Sequence, residues 1–155
     1  MASTPAKGKE SLGEVLEFMR LVWALHHGLQ ATSKRMAVQL GVTGPQRLVI
    51  RLVGRRPGIS AGELADLLRV HPSTLTGVLR RLEERAFLAR KADPEDRRRA
   101  VLTLTASGKA IDAVRAGTVE ASVRRVLERT ADGDVEATRR VLTLLAHELG
   151  GDEES

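Results

Sequence analysis

The chain has 155 residues, of which 42% are apolar, enough to fill the core of one ordinary domain. Its apolar side chains are mainly Leu, Val and Ala and only 2% of its residues are aromatic, which favours packed helices over a β-sandwich. It contains no cysteine, so disulfides, thiolate metal sites and cysteine redox sensors are excluded. No apolar run approaches the roughly 20 residues of a membrane span, and the N-terminus lacks the apolar core of a signal peptide, so we expect a cytoplasmic protein with no membrane partner.

The formal net charge of +5 is concentrated in the middle of the chain. Residues 45–105 contain thirteen Arg or Lys against seven Asp or Glu, whereas the rest of the chain is close to neutral. Such a concentration is expected of a surface that binds phosphates, although basic faces also occur in proteins without an anionic partner.

The first predicted element is a long helix over residues 12–33, which follows a loosely composed tail over residues 1–11. Its apolar side chains recur every three or four residues, so they share one stripe that must be buried somewhere. The stripe consists of Leu12, Val15, Leu16, Met19, Val22, Trp23 and His26.

Three further helices are predicted before residue 86. The second runs from Pro45 to Arg55, the third begins after Ser60, where Glu63 completes a capping box, and the fourth runs from Pro72 to Arg85. Helical spacing predicts that these helices turn the following side chains inward: Leu48, Val49, Leu52 and Val53, then Leu64, Ala65, Leu67 and Leu68, then Leu75, Val78, Leu79 and Leu82.

Two short strands, Phe87–Lys91 and Ala100–Leu104, flank a charged, turn-rich loop and are predicted to form a hairpin. Beyond them, one helix is predicted over residues 105–129 and another over residues 132–149, and an acidic tail over 151–155 ends the chain. The predicted fold class is therefore mainly α with a small β-wing.

The third and fourth helices, joined by a tight turn, form the unit that places an α-helix in the major groove of DNA. The outer face of the fourth helix carries groups that hydrogen-bond base edges or phosphates, and Gly77 leaves room for close approach. The predicted contacts from this helix are Ser73, Thr74, Thr76, Gly77, Arg80 and Arg81.

The hairpin tip adds the three consecutive arginines Arg97, Arg98 and Arg99, where a guanidinium can enter the narrow, electronegative minor groove. Asp96 lies two residues before Arg98, close enough to hold it by a bidentate pair. Further phosphate contacts are predicted from Ser60, Arg69, His71, Arg90 and Lys91.

These stretches together resemble the MarR family of winged helix-turn-helix regulators, by motif over residues 43–108 and by helix order over nearly the whole chain. The matching stretches are Glu63-Leu64-Ala65, Pro72-Ser73-Thr74-Leu75-Thr76, Leu82-Glu83 and, most specifically, Asp93-Pro94-Glu95-Asp96-Arg97-Arg98 leading into Leu102-Thr103-Leu104-Thr105 with Gly108. Two positions depart from the family pattern, which commonly has glycine in the turn where this chain has Arg69 and after the recognition helix where it has Ala86.

The resemblance implies a homodimer in which the first helix and the two C-terminal helices of each chain interdigitate and carry two winged domains onto a pseudo-palindromic operator in double-stranded DNA. It implies Asp96 bracing Arg98, and Ser73, Thr74, Thr76 and Arg80 near the bases. It also implies repression that a small, often aromatic or phenolic, effector relieves. The implied domains are a dimerisation helix and linker over 12–44, the winged domain over 45–104 and dimerisation helices over 105–150.

An effector pocket in this architecture would be lined by Trp23, His26, His27, Arg47 and Arg51, where the indole stacks on an aromatic ring and an arginine holds a carboxylate or phenolate. The alternative is that Trp23 belongs to the core and the histidines to a surface or interface. Because adjacent helical residues point about 100° apart, His26 and His27 cannot easily share one ion, and we expect neither a metal nor another cofactor.

Alternatives to a repressor that responds to an effector stay open. No phosphate loop, nucleophile elbow or hydrolytic metal spacing supports an enzyme. Winged helices also serve as protein-interaction or RNA-binding modules, and a regulator can act without a small-molecule inducer. A DNA-binding regulator is the prediction that uses all of the motifs.

Overall fold

The computed structural model describes residues 11–150, so the predicted tails, apart from Ser11, lie outside the described residues. Within that range the chain is mostly helical with one small sheet, which confirms the predicted fold class. The elements are α1 (Glu14–Gln39), α2 (Gly44–Arg55), β1 (Ile59–Ser60), α3 (Ala61–Leu68), α4 (Pro72–Glu84), β2 (Leu88–Ala92), β3 (Ala100–Leu104), α5 (Ala106–Ala113), α6 (Val119–Leu127) and α7 (Asp132–Gly150).

Side-chain caps fix where the helices of the central region begin. Thr43 forms a capping box with Gln46 at the start of α2, and Ser60 forms one with Glu63 at the start of α3. Thr105 Oγ1 accepts the Gly108 amide at 3.0 Å and so begins α5. Each cap satisfies an amide that the first helical turn leaves without a partner, so these boundaries are encoded locally.

The sheet is antiparallel, with strand order β1-β3-β2. β3 has the predicted bounds, and β2 both begins and ends one residue later than predicted. The two-residue β1 was not predicted, because two residues are too few to show alternation. It pairs Ser60 with Val101 and Ile59 with Leu102, and thereby ties the start of α3 to the wing.

The core lies where α2, α3 and α4 meet the sheet. Helix α2 buries the face that includes Val49, Ile50 and Val53, whereas Leu48 is 49% exposed, so its predicted place in the core is wrong. Leu67 is also exposed, at 42%. The other buried members are Val42, Ile59, Leu64, Ala65, Leu75, Leu79, Leu82, Leu88 and Leu102, and Ile111 of α5 packs against them.

The predicted single helix over residues 105–129 is wrong, because the chain breaks between α5 and α6. Val114 adopts an extended conformation with ψ 135°, Gly117 has φ +71°, and the buried Thr118 caps α6 by accepting the Ala121 amide at 3.2 Å. A positive φ is a conformation that glycine adopts without penalty, so Gly117 permits the turn. Helix α1 also runs six residues beyond its predicted end, to Gln39.

The outer helices leave their apolar stripes uncovered in the single chain. Helices α6 and α7 contain no buried residue, and Met36 is the one buried residue of α1. The exposed large apolar side chains of α1 include Val15, Met19 and Trp23. Among the described residues, no helix is both long and apolar enough to cross a membrane.

Candidate nucleic-acid interface

The turn between α3 and α4 sets the position of the exposed helix. Arg69 ends α3 in the left-handed conformation, with φ 53° and ψ 46°. The Val70 amide then donates to the Ala65 carbonyl at 3.1 Å, which reverses the chain tightly. His71 caps α4, since its Nδ1 accepts the Ser73 amide at 3.2 Å and lies 2.7 Å from Ser73 Oγ.

Helix α4 is held by one face and leaves the other in solvent. Leu75, Leu79 and Leu82 are buried, as predicted. Every predicted contact residue of this helix is exposed: Ser73, Thr74, Thr76, Gly77, Arg80 and Arg81. A Cβ at Gly77 would have no neighbour within 4 Å, so nothing in the described structure requires glycine there.

Two side chains of that face already have partners within α4. Thr76 Oγ1 donates to the Pro72 carbonyl at 2.9 Å, which leaves its lone pairs to accept from a partner. Arg80 Nε lies 3.7 Å from Glu84 Oε1, an exposed pair that is easily exchanged for another anion.

The wing tip carries the predicted pair of Asp96 and Arg98. Arg98 Nε donates to Asp96 Oδ1 at 3.1 Å, Nη2 lies 3.4 Å from Oδ2, and the Arg98 amide donates to Oδ1 at 3.1 Å. The side-chain and backbone hydrogen bonds from Arg98 lower the pKa of Asp96 below its usual value. The Arg98 side chain is nevertheless 92% exposed, so it is oriented without being covered.

Arg99 has a different environment, which the sequence reasoning missed. Its Nη2 lies 2.6 Å from Glu63 Oε2 and its Nε 3.9 Å from Asp93 Oδ2. The hydrogen bond from the Ser60 amide and then that from Arg99 lower the pKa of Glu63 to about 2. The one signal that could have placed Glu63 beside the wing is the β1–β3 pairing, and β1 is too short to be recognised in sequence.

The residues predicted to contact phosphates are all at the surface or half-exposed, but they differ in their partners. Arg90 Nη2 lies 2.8 Å from Glu83 Oε1, and Ser60 is engaged in its capping box. Arg69, His71 and Lys91 are exposed near the turn, the start of α4 and the wing respectively.

The structure separates the predicted effector-pocket residues into two groups. Trp23, His26 and His27 are exposed on α1, with the rings of Trp23 and His26 6.2 Å apart. Arg47 instead is buried, and it donates to Glu120 at 2.6 Å and to the carbonyls of Ile111 and Val114.

The predicted role of Arg47 and Arg51 in holding an effector is corrected by these contacts. Arg51 Nη1 lies 2.6 Å from Asp112 Oδ1, so both guanidinium groups already neutralise carboxylates of the chain. Partial burial acts to raise the pKa of Glu120, but the hydrogen bond and charge of Arg47 outweigh it and the pKa is lowered. The two arginines therefore join α2 to the α5–α6 region.

The MarR family model matches residues 42–100 of the chain. The HTH-type transcriptional repressor Rv2887 of Mycobacterium tuberculosis is 35% identical over 106 residues, covering 68% of this chain and 76% of that protein. Among solved structures, the transcriptional regulator SlyA superposes with a TM-score of 0.70 at 21% identity, over 87% of this chain and 95% of that one. The DNA complex of Staphylococcus aureus MepR superposes with a TM-score of 0.69 at 19% identity, over 85% and 97% of the two chains.

Proposed function

The chain belongs to the MarR family of transcriptional regulators, and from this we propose that it is a repressor that binds a pseudo-palindromic DNA operator as a homodimer. The observation that carries the proposal is the wing tip, where Asp96 holds an almost fully exposed Arg98, in a chain whose helix α4 also leaves its polar face in solvent. Oriented arginine at a hairpin tip has no role in the packing of the described chain, and it suits the electronegative minor groove.

Helix α4 is the proposed reader of the major groove. Its exposed hydroxyls and guanidinium groups from Ser73, Thr74, Thr76, Arg80 and Arg81 pair with base edges or phosphates, and Gly77 allows the helix to lie close to them. Its buried face is fixed to the core, so the helix is presented as a rigid element. MepR, a protein of the same fold, was solved as a DNA complex, which supports DNA binding in the proposal.

The proposed dimer uses α1, α6 and α7. These helices expose large apolar side chains in the single chain, among them Leu16, Met19, Val126, Leu142 and Leu144. An exposed apolar surface of this extent marks an interface. Two copies joined at both chain ends would present two copies of α4 to successive half-sites of one operator.

The proposed effector is a small aromatic or phenolic compound that binds near Trp23, His26 and His27. The support is the exposed indole of Trp23, which offers a stacking surface on α1. Arg47 and Arg51 are not part of this proposal, because carboxylates of the chain occupy them. A thermal-shift screen with phenols and aromatic carboxylates, followed by gel shift, identifies a compound that both binds and releases DNA.

A gel shift tests the repressor proposal, with the promoter region of the protein's own gene as probe and random duplex as competitor. We expect preference for the promoter, and we expect Arg98→Ala to weaken binding by about 1 to 3 kcal/mol and to flatten its salt dependence. Arg139→Ala, an exposed arginine of α7 paired with Glu136, is the matched control and should leave binding unchanged.

Failure to prefer any native site over random duplex would overturn the proposal. Equal affinity for RNA, or binding confined to another protein, would favour a winged-helix module of a different kind. A dissociation constant and salt slope unchanged by Arg98→Ala would remove that arginine from the contacts.

A further inference from the structure

Arg99 joins the neck of the wing to the helix-turn-helix through both its backbone and its side chain. Its carbonyl accepts the Asp93 amide at 2.8 Å and its amide donates to the Asp96 carbonyl at 2.9 Å, which closes the hairpin below the tip. Its guanidinium reaches out of the hairpin to Glu63 of α3 at 2.6 Å. One residue thus connects the segment that orients Arg98 with the helix that packs against α4.

Glu63 is equally fixed. Its Oε2 accepts the Ser60 amide at 2.8 Å and lies 3.1 Å from Ser60 Oγ, so the carboxylate that receives Arg99 is part of a helix cap. Ser60 itself pairs with Val101 of β3. Because its position is fixed by the cap and the sheet, the carboxylate holds Arg99 in one place.

We propose that Glu63 and Arg99 form a clamp that sets the wing tip at a fixed position relative to α4, and that Arg99 is a positioning residue and not a DNA contact. This inference rests on the proposed function, since it concerns how the two DNA-binding elements are held together. Arg98, one residue earlier, is 92% exposed and faces solvent, whereas Arg99 is 43% exposed and faces two carboxylates.

The charges around the two arginines also support a positioning role for Arg99 and a DNA contact for Arg98. An arginine that already neutralises a carboxylate adds little to the release of counterions from DNA, whereas an uncovered arginine adds one phosphate contact. For Arg99 to contact DNA, its guanidinium would have to leave Glu63 and uncover a carboxylate beside the phosphates. Repulsion between that carboxylate and the phosphate backbone opposes such a movement.

The test is a double-mutant cycle between the clamp and the wing tip, read by operator affinity at several salt concentrations. Glu63→Gln removes the charge that holds Arg99 but keeps a side chain that completes the capping box. We expect the affinity for the operator to fall roughly two- to fivefold, because an exposed ion pair contributes less free energy than a direct DNA contact. The salt slope should stay unchanged, because no phosphate contact is lost. In an Arg98→Ala background, Glu63→Gln should have no further effect, since there is no tip arginine left to position.

Arg99→Gln opens the clamp from the other side without touching α3, so it gives the same readout if Glu63→Gln disturbs folding. It should reproduce the loss of affinity and again leave the salt slope unchanged. Glu136→Gln makes the matched change in the Glu136–Arg139 pair of α7 and should have no effect on binding.

Two results would overturn the clamp. The first is tighter or unchanged binding with Glu63→Gln. The second is a salt slope reduced by about one with Arg99→Gln, equally with and without Arg98, which would make Arg99 a phosphate contact. Either is distinct from failure of the proposed function, in which the wild-type protein itself would not prefer a native site.

Discussion

Arg98 and Arg99 are neighbours with the same charge, yet their surroundings give them different roles. Arg98 is held by Asp96 from within the tip and stays almost fully exposed. Arg99 is held by Glu63 from another element. The Asp96–Arg98 contact joins residues two positions apart and can be inferred from local sequence. The Glu63–Arg99 contact joins residues separated in the chain by most of α3, α4 and β2, so it depends on how these elements pack.

Two residues adopt left-handed backbone conformations at the positions where the family commonly has glycine. Arg69 has φ 53° and Ala86 has φ 56°. At the end of α4 the Ala86 amide donates to Glu83 and the Phe87 amide to Leu82, both at 2.9 Å, the pattern of a Schellman motif. The chain therefore keeps the turn geometry and accepts the strain of a side chain there.

Ala86→Gly should stabilise the protein by up to about 1 kcal/mol, because glycine adopts this conformation without a Cβ penalty. The free energy of unfolding in urea measures the effect. Ala110→Gly, the same change at an exposed position inside α5, should destabilise by about 0.5 to 1 kcal/mol. A lower stability for Ala86→Gly would show that the left-handed alanine is not strained.

At the scale of elements, the break between α5 and α6 creates a site for a buried arginine. The carbonyls of Ile111 and Val114, at and beyond the last turn of α5, accept hydrogen bonds from Arg47 of α2, and Glu120 in the first turn of α6 pairs with it. The last carbonyls of a helix lack the amide donors of a following turn. The Val114 amide donates to the Ile111 carbonyl at 3.2 Å, and Arg47 gives a further hydrogen bond to this carbonyl and one to that of Val114. The break and the buried charge are therefore one structural feature.

Arg47→Ala should destabilise the protein by about 3 to 5 kcal/mol, because it removes a fully buried guanidinium with its hydrogen bonds and leaves the half-buried carboxylate of Glu120 with only Arg51, at 3.7 Å, as an ion-pair partner. Thermal unfolding or urea denaturation measures the loss. Arg20→Ala removes an exposed arginine paired with Glu17 on α1 and should change stability by less than about 1 kcal/mol. Similar small losses from both variants would mean that the Arg47 network contributes no more than a surface pair.

At the scale of the whole molecule, the chain has one well-filled core and a second apolar surface that lacks a cover. The core joins α2, α3, α4, α5 and the sheet, whereas α1, α6 and α7 expose most of their apolar side chains. The single chain buries the apolar core of its winged domain and leaves the apolar surface of α1, α6 and α7 in contact with solvent. This arrangement is the physical basis of the proposed dimer.

Light scattering should show a species of twice 16.8 kDa. Leu16→Glu on α1 and Leu144→Glu on α7 should each shift it toward the monomer, because a charge buried at an interface without a partner is unfavourable. Lys109→Glu, at an exposed position of α5 outside the proposed dimer helices, is the control and should leave the mass unchanged. A stable wild-type monomer would contradict the dimer and, with it, the pseudo-palindromic operator.

Local chemistry in the sequence determined the starts of α2, α3 and α4, the wing strands and the likeness to the MarR family. Caps, hairpin residues and the Asp96–Arg98 pair act over a few positions. Spacing also separated the buried and exposed faces of α4 correctly. It failed at Leu48 and over residues 105–129, since apolar spacing alone does not show where a helix must turn to fit its neighbours.

Only the tertiary structure decided the partners of the charged side chains. Arg47, Arg51 and Arg99 look like any other arginine of the basic segment in sequence, but packing brings Glu120, Asp112 and Glu63 to them from distant elements. The strength of an ion pair depends on its distance and burial, and both are set by the fold. The sequence therefore showed how much positive charge the chain carries, and the fold decided which arginines are paired with carboxylates and which are available to bind DNA.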